Sequence, residues 1–434
     1  MDKRRLVTVF VIVLVDMLGF GLILPLLPFY ADNFGASAAV IGLLTASYAA
    51  AQLVGAPVLG RLSDRHGRRP VLLVSIFGTF IGFLLLGLAV PLGTFLAGLL
   101  PAGLTDGPAA AANALILGIL FASRILDGIT GGNISVAQAY ITDITDEENR
   151  ARGLGLMGAA FGLGFVIGPA LGGALSAGGR YAVPAFFAAA LAFLNWIAVL
   201  IWLPESLTEE IKVQLAKLPA RSIMSVSELW QAMRRPRFGP LLNVRFFSGL
   251  AFATFTGVFA LYTLYELGLD STQTGYILAY VGLMLVLVQG VAIGRLAKRF
   301  RESYLILGSV VVLAATLLAW AFTPNVLFLL IVLTPLSFAI GVLNTIINSS
   351  ITKSVYPEEV GGALGVSASV ESLTRVIGPV AGALLLDYLG PWAPGVVGAV
   401  ILAWLAAYVW RRLVTNPDPP LPDREAGPEA QEGD

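Results

Sequence analysis

Residues 40–90 read VIGLLTASYAAAQLVGAPVLGRLSDRHGRRPVLLVSIFGTFIGFLLLGLAV. Two apolar runs, 40–60 and 70–90, flank a short turn that contains Arg61, Arg65, Arg68 and Arg69. A membrane-spanning helix needs about 20 predominantly apolar residues, so each run is long enough to cross a bilayer. The segment therefore predicts a hairpin of two membrane-spanning helices joined by a basic turn.

The rest of the chain repeats this pattern. Only 12% of its 434 residues are Asp, Glu, Lys or Arg, and 57% are apolar, whereas soluble domains have about 25% and 45–50%. Such a chain cannot cover a soluble surface with polar groups, which excludes the soluble folds. Its apolar runs predict an all-α membrane protein with twelve spans, at 6–29, 40–60, 70–90, 114–142, 153–176, 184–203, 240–264, 273–294, 304–323, 325–349, 362–386 and 393–413.

Basic residues predict the orientation, because cytoplasmic loops carry an excess of Lys and Arg. They cluster before span one, after spans two, four, six, eight and ten, and after span twelve. We therefore expect a multi-pass protein of the cell membrane (plasma or inner) with both termini cytoplasmic. The run after Lys3 is too long for a secretory signal and contains Asp16 and Pro25, so we expect it to be a retained span.

The two halves of the chain repeat each other. Gly60-Arg61-Leu62 recurs as 294–296, and the Gly-Pro-x-x-Gly run at 168–172 recurs at 378–382. A parallel duplication of six-helix halves is a transporter architecture with a central site at the interface. We expect a bundle at 1–206, a cytoplasmic linker at 207–237, a second bundle at 238–415 and a disordered cytoplasmic tail at 416–434. Extra sequence near 90–113 has no counterpart in the second half.

The turn at 60–70, GRLSDRHGRRP, resembles the loop 2–3 signature of the major facilitator superfamily, G-x-L-a-D-r-x-G-r-r. In that family the loop latches the two halves on the cytoplasmic side. Asp64 can lie against a positive helix N-terminus, and the arginines can pair with acids at neighbouring helix ends. A solvated basic turn is the alternative. The resemblance implies a cytoplasmic gate formed by Gly60, Asp64, Arg65, Gly67, Arg68 and Arg69.

Spans four and five extend the resemblance. Arg124 and Gly128 are similar to the family's R-x-x-x-G motif. Span five is similar to the antiporter motif G-x-x-x-G-P-x-x-G-G, which is more typical of drug:proton antiporters than of nutrient symporters. Small residues also let helices approach closely, so plain helix packing is the alternative. The motif residues are Gly164, Gly168, Pro169, Gly172 and Gly173.

The tetracycline-efflux-like branch is the most similar part of the family. The resemblance covers the chain from Asp16 to about Leu389 and implies the major facilitator fold in a monomer. Members of that branch typically carry further aspartates in spans three and nine. This chain has Gly82 and Val312 at the positions that we align with them, so the branch's substrate residues are not carried over.

Charges inside the spans point to proton coupling. Each costs about 2.5–3.5 kcal/mol at the membrane centre, so an intramembrane charge is functional by default. Each acid of spans four and eleven can share a helix face with a base, and purely structural ion pairs are the alternative. Asp16 has no base within helical reach, and movement of Arg124 relative to it would alter its proton affinity. We predict Asp16 as the main proton carrier, with Asp127 or Glu371 second. The proton-coupling set is Asp16, Arg124, Asp127, Glu371 and Arg375.

The family's cavity is lined chiefly by spans one, four, seven and ten. A few polar groups among apolar walls suit an amphipathic solute, and hydrogen bonds between helices are an equally good account of each. Phe20 and Phe255 are candidate apolar wall residues. The candidate substrate contacts are Asn133, Gln138, Tyr262, Gln289, Asn344 and Asn348.

The chain lacks the residues that several other functions require. It has no Cys and a single His, His66, which removes thiolate, most zinc and Ser-His chemistry. It has no P-loop, so we expect no nucleotide, and its net charge of zero gives no hint of nucleic acid.

These observations predict a secondary active transporter, not an enzyme. We expect it to export small amphipathic or lipophilic compounds in exchange for protons, with the proton gradient in place of a cofactor. Its partners would be the lipid bilayer, the amphipathic substrate and protons. A lipid or lysolipid flippase on the same fold is the alternative, and a non-transporting sensor also remains open.

Overall fold

The computed structural model describes residues 3–101, 107–145, 147–207, 226–356 and 359–416. Within these ranges it is all-helical and contains twelve helical segments that are long and apolar enough to cross a membrane. The predicted number of spans and the all-α membrane fold are confirmed. Residues 417–434 of the predicted tail, residues 208–225 of the predicted linker and residues 102–106 of the extra sequence lie outside the described residues.

The first six spans alternate in direction. Span one is interrupted at residues 24–26, and span four is interrupted at Gly131 and Gly132. The short helix Ala89–Gly98 precedes span four. The spans are, in order, Lys3–Ile23 with Leu27–Asp32, Ala38–His66, Arg68–Gly87, Pro108–Thr130 with Asn133–Ile144, Glu147–Leu175, and Ala182–Trp202.

The last six spans follow the helix Val226–Arg234, which occupies part of the predicted linker. Span eight contains a π-helical turn, Val288–Ala292, and span twelve ends in another, Trp410–Thr415. The spans are, in order, Phe238–Leu267, Ser271–Leu287 with Ile293–Arg299, Glu302–Trp320, Val326–Lys353, Val360–Leu389, and Ala393–Val409.

The turn between spans two and three is shorter than its sequence indicates. Span two continues through Asp64 and Arg65 to His66, and span three begins at Arg68. Only Gly67 separates them, with φ 106° and ψ 154°, a conformation that glycine adopts without a Cβ clash. The basic signature therefore forms the last turn of one helix and the first turn of the next.

Because successive spans alternate in direction, the bundle has two faces. We call the face that contains Gly67 and the start of span one the Gly67 face, and the opposite one the Ser37 face. The two halves meet near the Ser37 face, where hydrogen bonds join Ala39 N to Asp387 (2.9 Å), Tyr265 Oη to Asp32 (2.5 Å), Ser176 Oγ to Ser271 Oγ (2.8 Å) and Thr272 Oγ1 to Gly173 O (2.8 Å).

Spans two and eleven touch near the Ser37 face and separate towards the Gly67 face. A Cβ on Gly42 would lie 2.7 Å from the carbonyl oxygen of Pro379. Gly60 and Gly361 lie 18 residues from these contacts along their own helices, which is five turns and returns to the same face. A Cβ on either glycine would meet no atom within 4 Å.

Spans five and eight also touch near the Ser37 face and separate towards the Gly67 face. Gly275 packs against the carbonyl of Pro169, and Gly282 packs against the carbonyl of Phe165. One turn further, a Cβ on Gly162 would still contact Val286 at 3.1 Å, whereas Gly158 again has open space. The two halves therefore touch near the Ser37 face and separate towards the Gly67 face, and we call the space between them the cavity.

Candidate functional site

Asp16 lies in span one and its carboxylate accepts a hydrogen bond from Asn133 Nδ2 at 2.5 Å. Asn133 begins the second helix of span four and is 6% exposed. Its amide orientation is fixed because its Oδ1 accepts a hydrogen bond from Ile134 N at 2.9 Å. The structure thus brings together two of the predicted residues, and an uncharged amide is the recorded hydrogen-bond partner of the Asp16 carboxylate among the described residues.

The break in span four positions Asn133. A Cβ on Gly132 would lie 2.7 Å from the side chain of Leu59 in span two, and one on Gly128 would lie 2.4 Å from the carbonyl of Tyr48. These glycines let span four press against span two. The carbonyl of Gly131, left free at the break, accepts a hydrogen bond from Gln52 Nε2 at 3.0 Å.

The second acid of this half is engaged in an ion pair. Arg124 Nη1 lies 3.2 Å from Asp127 Oδ2, and the two side chains are only 4% and 5% exposed. The guanidinium lies over the ring of Phe83, 5.3 Å from its centroid, and its Nη2 has no hydrogen-bond partner. Gly82 provides the space, because its Cβ would lie 3.1 Å from the Cβ of Asp127. Asp127 is close enough to Asp16 for the two carboxylates to interact electrostatically.

A polar cluster in the C-terminal half surrounds Glu371. Arg375 Nη2 donates to its Oε1 at 2.6 Å, and Arg245 Nη2 forms a short ion pair with its Oε2. Arg245 Nη1 also donates to Asn344 Oδ1 at 2.9 Å. Spans seven, ten and eleven are therefore tied together by Glu371, Arg245, Arg375 and Asn344.

Arg245 was missed in the sequence analysis. It lies inside the predicted span 240–264, is 8% exposed in the structure, and was not among the five residues of the predicted proton-coupling set. The signal was present, because an arginine within an apolar run is itself a functional indication. Its pairing with Glu371, 126 residues away, had no sequence signal.

Aromatic and polar side chains of spans one and two complete the wall of the N-terminal half. Phe20, one helical turn after Asp16, packs against Tyr48 and Phe165, with ring centroids 5.5 and 6.3 Å apart. Gln52 Nε2 donates to Tyr48 Oη at 3.1 Å. The Tyr48 hydroxyl interacts electrostatically with Asp16 of its own half and with Arg375 of the other. Tyr48 and Gln52 had not been singled out from the sequence.

The remaining substrate candidates occupy different environments. Gln138, Gln289, Asn344 and Asn348 are exposed, and Gln289 lies in the π-helical turn of span eight. Tyr262 is 2% exposed, and its hydroxyl donates to the carbonyl of Trp320 at 2.9 Å. Phe255 packs edge-on against the same tryptophan. The positions of Tyr262 and Phe255 favour the helix-packing alternative, because both contact the interior of the C-terminal half.

The gate signature forms a polar network on the Gly67 face. Arg68 contacts Asp64 at 2.5 Å and Asp143 at 3.0 Å, while its backbone N donates to Glu205 at 2.8 Å. Arg69 N donates to the same carboxylate at 3.1 Å. Glu205 therefore caps span three, whereas Asp64, which we expected to lie against a positive helix N-terminus, pairs with the side chain of Arg68. All these partners belong to residues 1–206, and Arg65 is exposed.

The antiporter-motif glycines of span five pack against two neighbours. Added Cβ atoms on Gly164, Gly168 and Gly172 would lie 2.4–2.8 Å from Met17, Gly21 and Leu22 of span one. Gly173 and the carbonyl of Pro169 instead contact span eight of the other half. The motif thus positions the Asp16 helix on one side and closes the Ser37 face on the other.

The described residues offer no cluster of three or more His, Cys, Asp or Glu side chains that could hold a metal ion. Within these ranges the site consists of carboxylates, guanidiniums, amides and aromatic rings. Such a set can bind and release protons and can pair with charged or polar groups of a solute.

Comparison with known proteins agrees with this architecture. The chain is 30% identical over 391 residues to solute carrier family 22 member 18 of Rattus norvegicus, covering 89% of each chain. It is 33% identical over 384 residues to the class C tetracycline resistance protein of Escherichia coli, covering 87% of this chain and 89% of that one. The crystal structure of the human organic anion transporter MFSD10 (TETRAN) superimposes with a TM-score of 0.67 at 23% identity, covering 94% of this chain and 99% of that one.

The tetracycline resistance relatives confirm the predicted drug:proton antiporter branch. The family model described as Major Facilitator Superfamily matches residues 9–262 and 241–432, which together span both halves. Family and fold are those of transporters, not of enzymes. The chain is a multi-pass membrane protein that belongs to the Major Facilitator Superfamily.

Proposed function

We propose that this protein exports small amphipathic or lipophilic compounds in exchange for protons, as a monomer in the cell membrane with both termini cytoplasmic. The observation that carries the proposal is Asp16. It is an acid within a span, and its recorded partner is the amide of Asn133 at 2.5 Å, not a cation. A carboxyl group with such a partner can be neutral or charged, and a buried charge is costly. The tetracycline resistance relatives, whose names refer to a drug, support a drug-like cargo.

The transport cycle uses the two halves, 1–206 and 238–415, as moving units around the central cavity. In the conformation of the structure the cavity opens to the Gly67 face, which we assign to the cytoplasm. Asp16 would release its proton there, and the cargo would bind. After the cavity reopens at the Ser37 face, a proton would displace the cargo, and the protonated carrier would return. The proton gradient drives the cycle without a nucleotide or other cofactor.

The roles of the other predicted residues follow from this cycle. The Arg124–Asp127 and Glu371 clusters would adjust the electrostatics of the cavity, and the Asp64 signature would close the Gly67 face by pairing across the halves in the opposite conformation. Gln138, Asn344, Asn348 and Gln289 are proposed cargo contacts because their side chains are exposed.

The test is Asp16→Asn in proteoliposomes with an imposed pH gradient. We expect uptake of a cationic dye driven by the gradient to fall at least tenfold, while binding of the dye remains measurable. Glu266→Gln is the matched control, because Glu266 is an exposed acid at the Ser37 face. Gradient-driven uptake that persists in Asp16→Asn would refute the proposal. Transport of a labelled lysolipid in place of the dye would instead support a flippase.

A further inference from the structure

The polar cluster of the C-terminal half has one more positive charge than it neutralises. Arg245 and Arg375 both pair with Glu371, and Asn344, the remaining partner of Arg245, is uncharged. Arg245 is 8% exposed, and its buried Nε has no hydrogen-bond partner. Because Glu371 neutralises only one of the two guanidiniums, the cluster retains one positive charge that an anionic group of a ligand can neutralise.

Arg375 is the member of this cluster whose guanidinium is accessible to a ligand. Its side chain is 58% exposed, and Glu371 is its one recorded hydrogen-bond partner among the described residues. A guanidinium has five N–H donors in a planar fork that matches carboxylates and phosphates. Arg375 therefore has donors to offer to a ligand, whereas the guanidinium of Arg245 is held by Glu371 and Asn344.

Arg375 and Asp16 lie on opposite walls of the same cavity. Arg375 lies one helical turn from Pro379 of span eleven, whose carbonyl packs against Gly42 of span two, the helix that contains Tyr48. The hydroxyl of Tyr48 is also near enough to Asp16 of span one and to Arg375 for electrostatic interaction. Phe20 lies one turn from Asp16 and packs on Tyr48 and Phe165. The cavity thus combines a negative group, a positive group and aromatic surface.

We propose that the cargo is a zwitterionic amphiphile. Its cationic group pairs with Asp16, its carboxylate or phosphate pairs with Arg375, and its apolar body contacts the aromatic side chains around Phe20. The inference rests on the proposed function of Asp16 and adds the chemical class of the cargo. A purely cationic amphiphile would leave the surplus positive charge of the Glu371 cluster without a counterion, and a purely anionic one would face Asp16, so both are disfavoured by charge.

The same pair of charges occurs in a soluble zwitterion and in the headgroup of a zwitterionic lysophospholipid. The experiment therefore uses four fluorescent probes with one alkyl chain and one dye. Three are soluble and have an ammonium, a carboxylate or both groups, and the fourth is a zwitterionic lysophospholipid. Equilibrium binding to the purified full-length protein is measured without a pH gradient, so that the result does not depend on proton coupling.

We expect at least one zwitterionic probe to bind at least tenfold more tightly than either singly charged soluble probe. The soluble zwitterion or the lysophospholipid, whichever binds more tightly, identifies the source of the cargo. Arg375→Gln should lower the zwitterion-to-ammonium preference at least tenfold, and Arg375→Lys should retain most of it. Arg180→Gln is the matched control, because it removes one exposed arginine at the Ser37 face.

Equal binding of the zwitterionic and ammonium probes to the unmodified protein would overturn the inference, and so would a preference that Arg375→Gln leaves unchanged. If that variant does not fold, the order of affinities in the unmodified protein decides. Gradient-driven transport of the zwitterionic probe that binds most tightly is measured in parallel. The absence of gradient-driven transport in the unmodified protein would count against the proposed antiport and not against the charge preference.

Discussion

Asp387 closes the Ser37 face through a hydrogen bond between the two halves. Its carboxylate, in span eleven, accepts from the backbone N of Ala39 at 2.9 Å, at the start of span two. The first N–H groups of a helix have no partner within the helix and form a positive end. The bond can exist only while spans two and eleven touch. Asp387→Ala therefore removes a contact that belongs to one conformation of the transporter.

The expected size of the shift in the conformational equilibrium follows from the known cost of losing a helix cap. Loss of a side chain that caps a helix N-terminus costs about 0.5–2 kcal/mol, and 1.4 kcal/mol is a factor of ten in an equilibrium constant. The conformation open at the Ser37 face does not contain this bond, so the whole loss appears in the equilibrium between the two conformations. We expect Asp387→Ala to shift that equilibrium by about 2- to 30-fold towards opening at the Ser37 face.

The absence of native cysteine makes the measurement direct. Gly60→Cys and Gly361→Cys introduce two thiols for spin labels on spans two and eleven, at positions that have free space. Double electron–electron resonance then measures the distance between the labels. This distance is long when the Gly67 face is open and short when it is closed. The Asp387→Ala variant should increase the short-distance fraction.

Ser37→Ala is the matched control. Ser37 Oγ accepts from Val40 N at 3.4 Å, and both residues belong to the N-terminal half. This cap at the same helix end is independent of the contact between the halves, so its loss should leave the distance distribution unchanged. A distribution that does not respond to Asp387→Ala, or one that responds equally to Ser37→Ala, would refute the reasoning.

Two further predictions concern packing and the buried ion pair. Gly168→Ala should lower the thermal unfolding midpoint, because its Cβ would lie 2.8 Å from the backbone of Gly21 and overpacking costs about 1–3 kcal/mol. Gly158→Ala, at a position with open space on the same helix, is the control. An equal decrease of the unfolding midpoint in both variants would contradict the prediction. Arg124→Met should destabilise the protein by about 3–5 kcal/mol, because it leaves Asp127 buried and unpaired, and adding Asp127→Leu should restore much of the unfolding midpoint. A double variant less stable than Arg124→Met alone would contradict the prediction, because it would show that the unpaired charge of Asp127 is not the cause of the lost stability.

Features that depend on composition along the chain could be predicted from the sequence. The length of an apolar run determines whether a helix can cross a membrane, which is why twelve spans were predicted and found. Asp16 and Arg124 stood out because a charge in such a run is rare. Boundaries were less accurate, as at Gly67, where one residue separates helices that had appeared to be joined by a basic loop.

Features that depend on distant contacts could not be predicted in this way. The cap of span three by Glu205 joins residues 137 positions apart, and the sequence offers several other acids for that role. Tyr262 has the composition of a cavity residue, but its hydroxyl bonds to the carbonyl of Trp320 in the packed interior. Periodicity alone does not distinguish a helix face that packs against a neighbouring helix from one that lines a cavity.

The location of the partners of Asp16 changes the account of coupling. Movement of Arg124 relative to Asp16 is the change in proton affinity that the sequence predicts, but Asp16, Asn133, Arg124 and Asp127 all belong to the N-terminal half. Rocking of two rigid halves leaves distances within one half unchanged. The charged group whose distance from the Asp16 wall must change is on the other half, and Arg375, which interacts with Tyr48, fits this description. In the proposed antiport cycle, the electrostatic environment of Asp16 would depend on conformation through Arg375, and the same arginine that we propose as a cargo contact would link cargo binding to the proton.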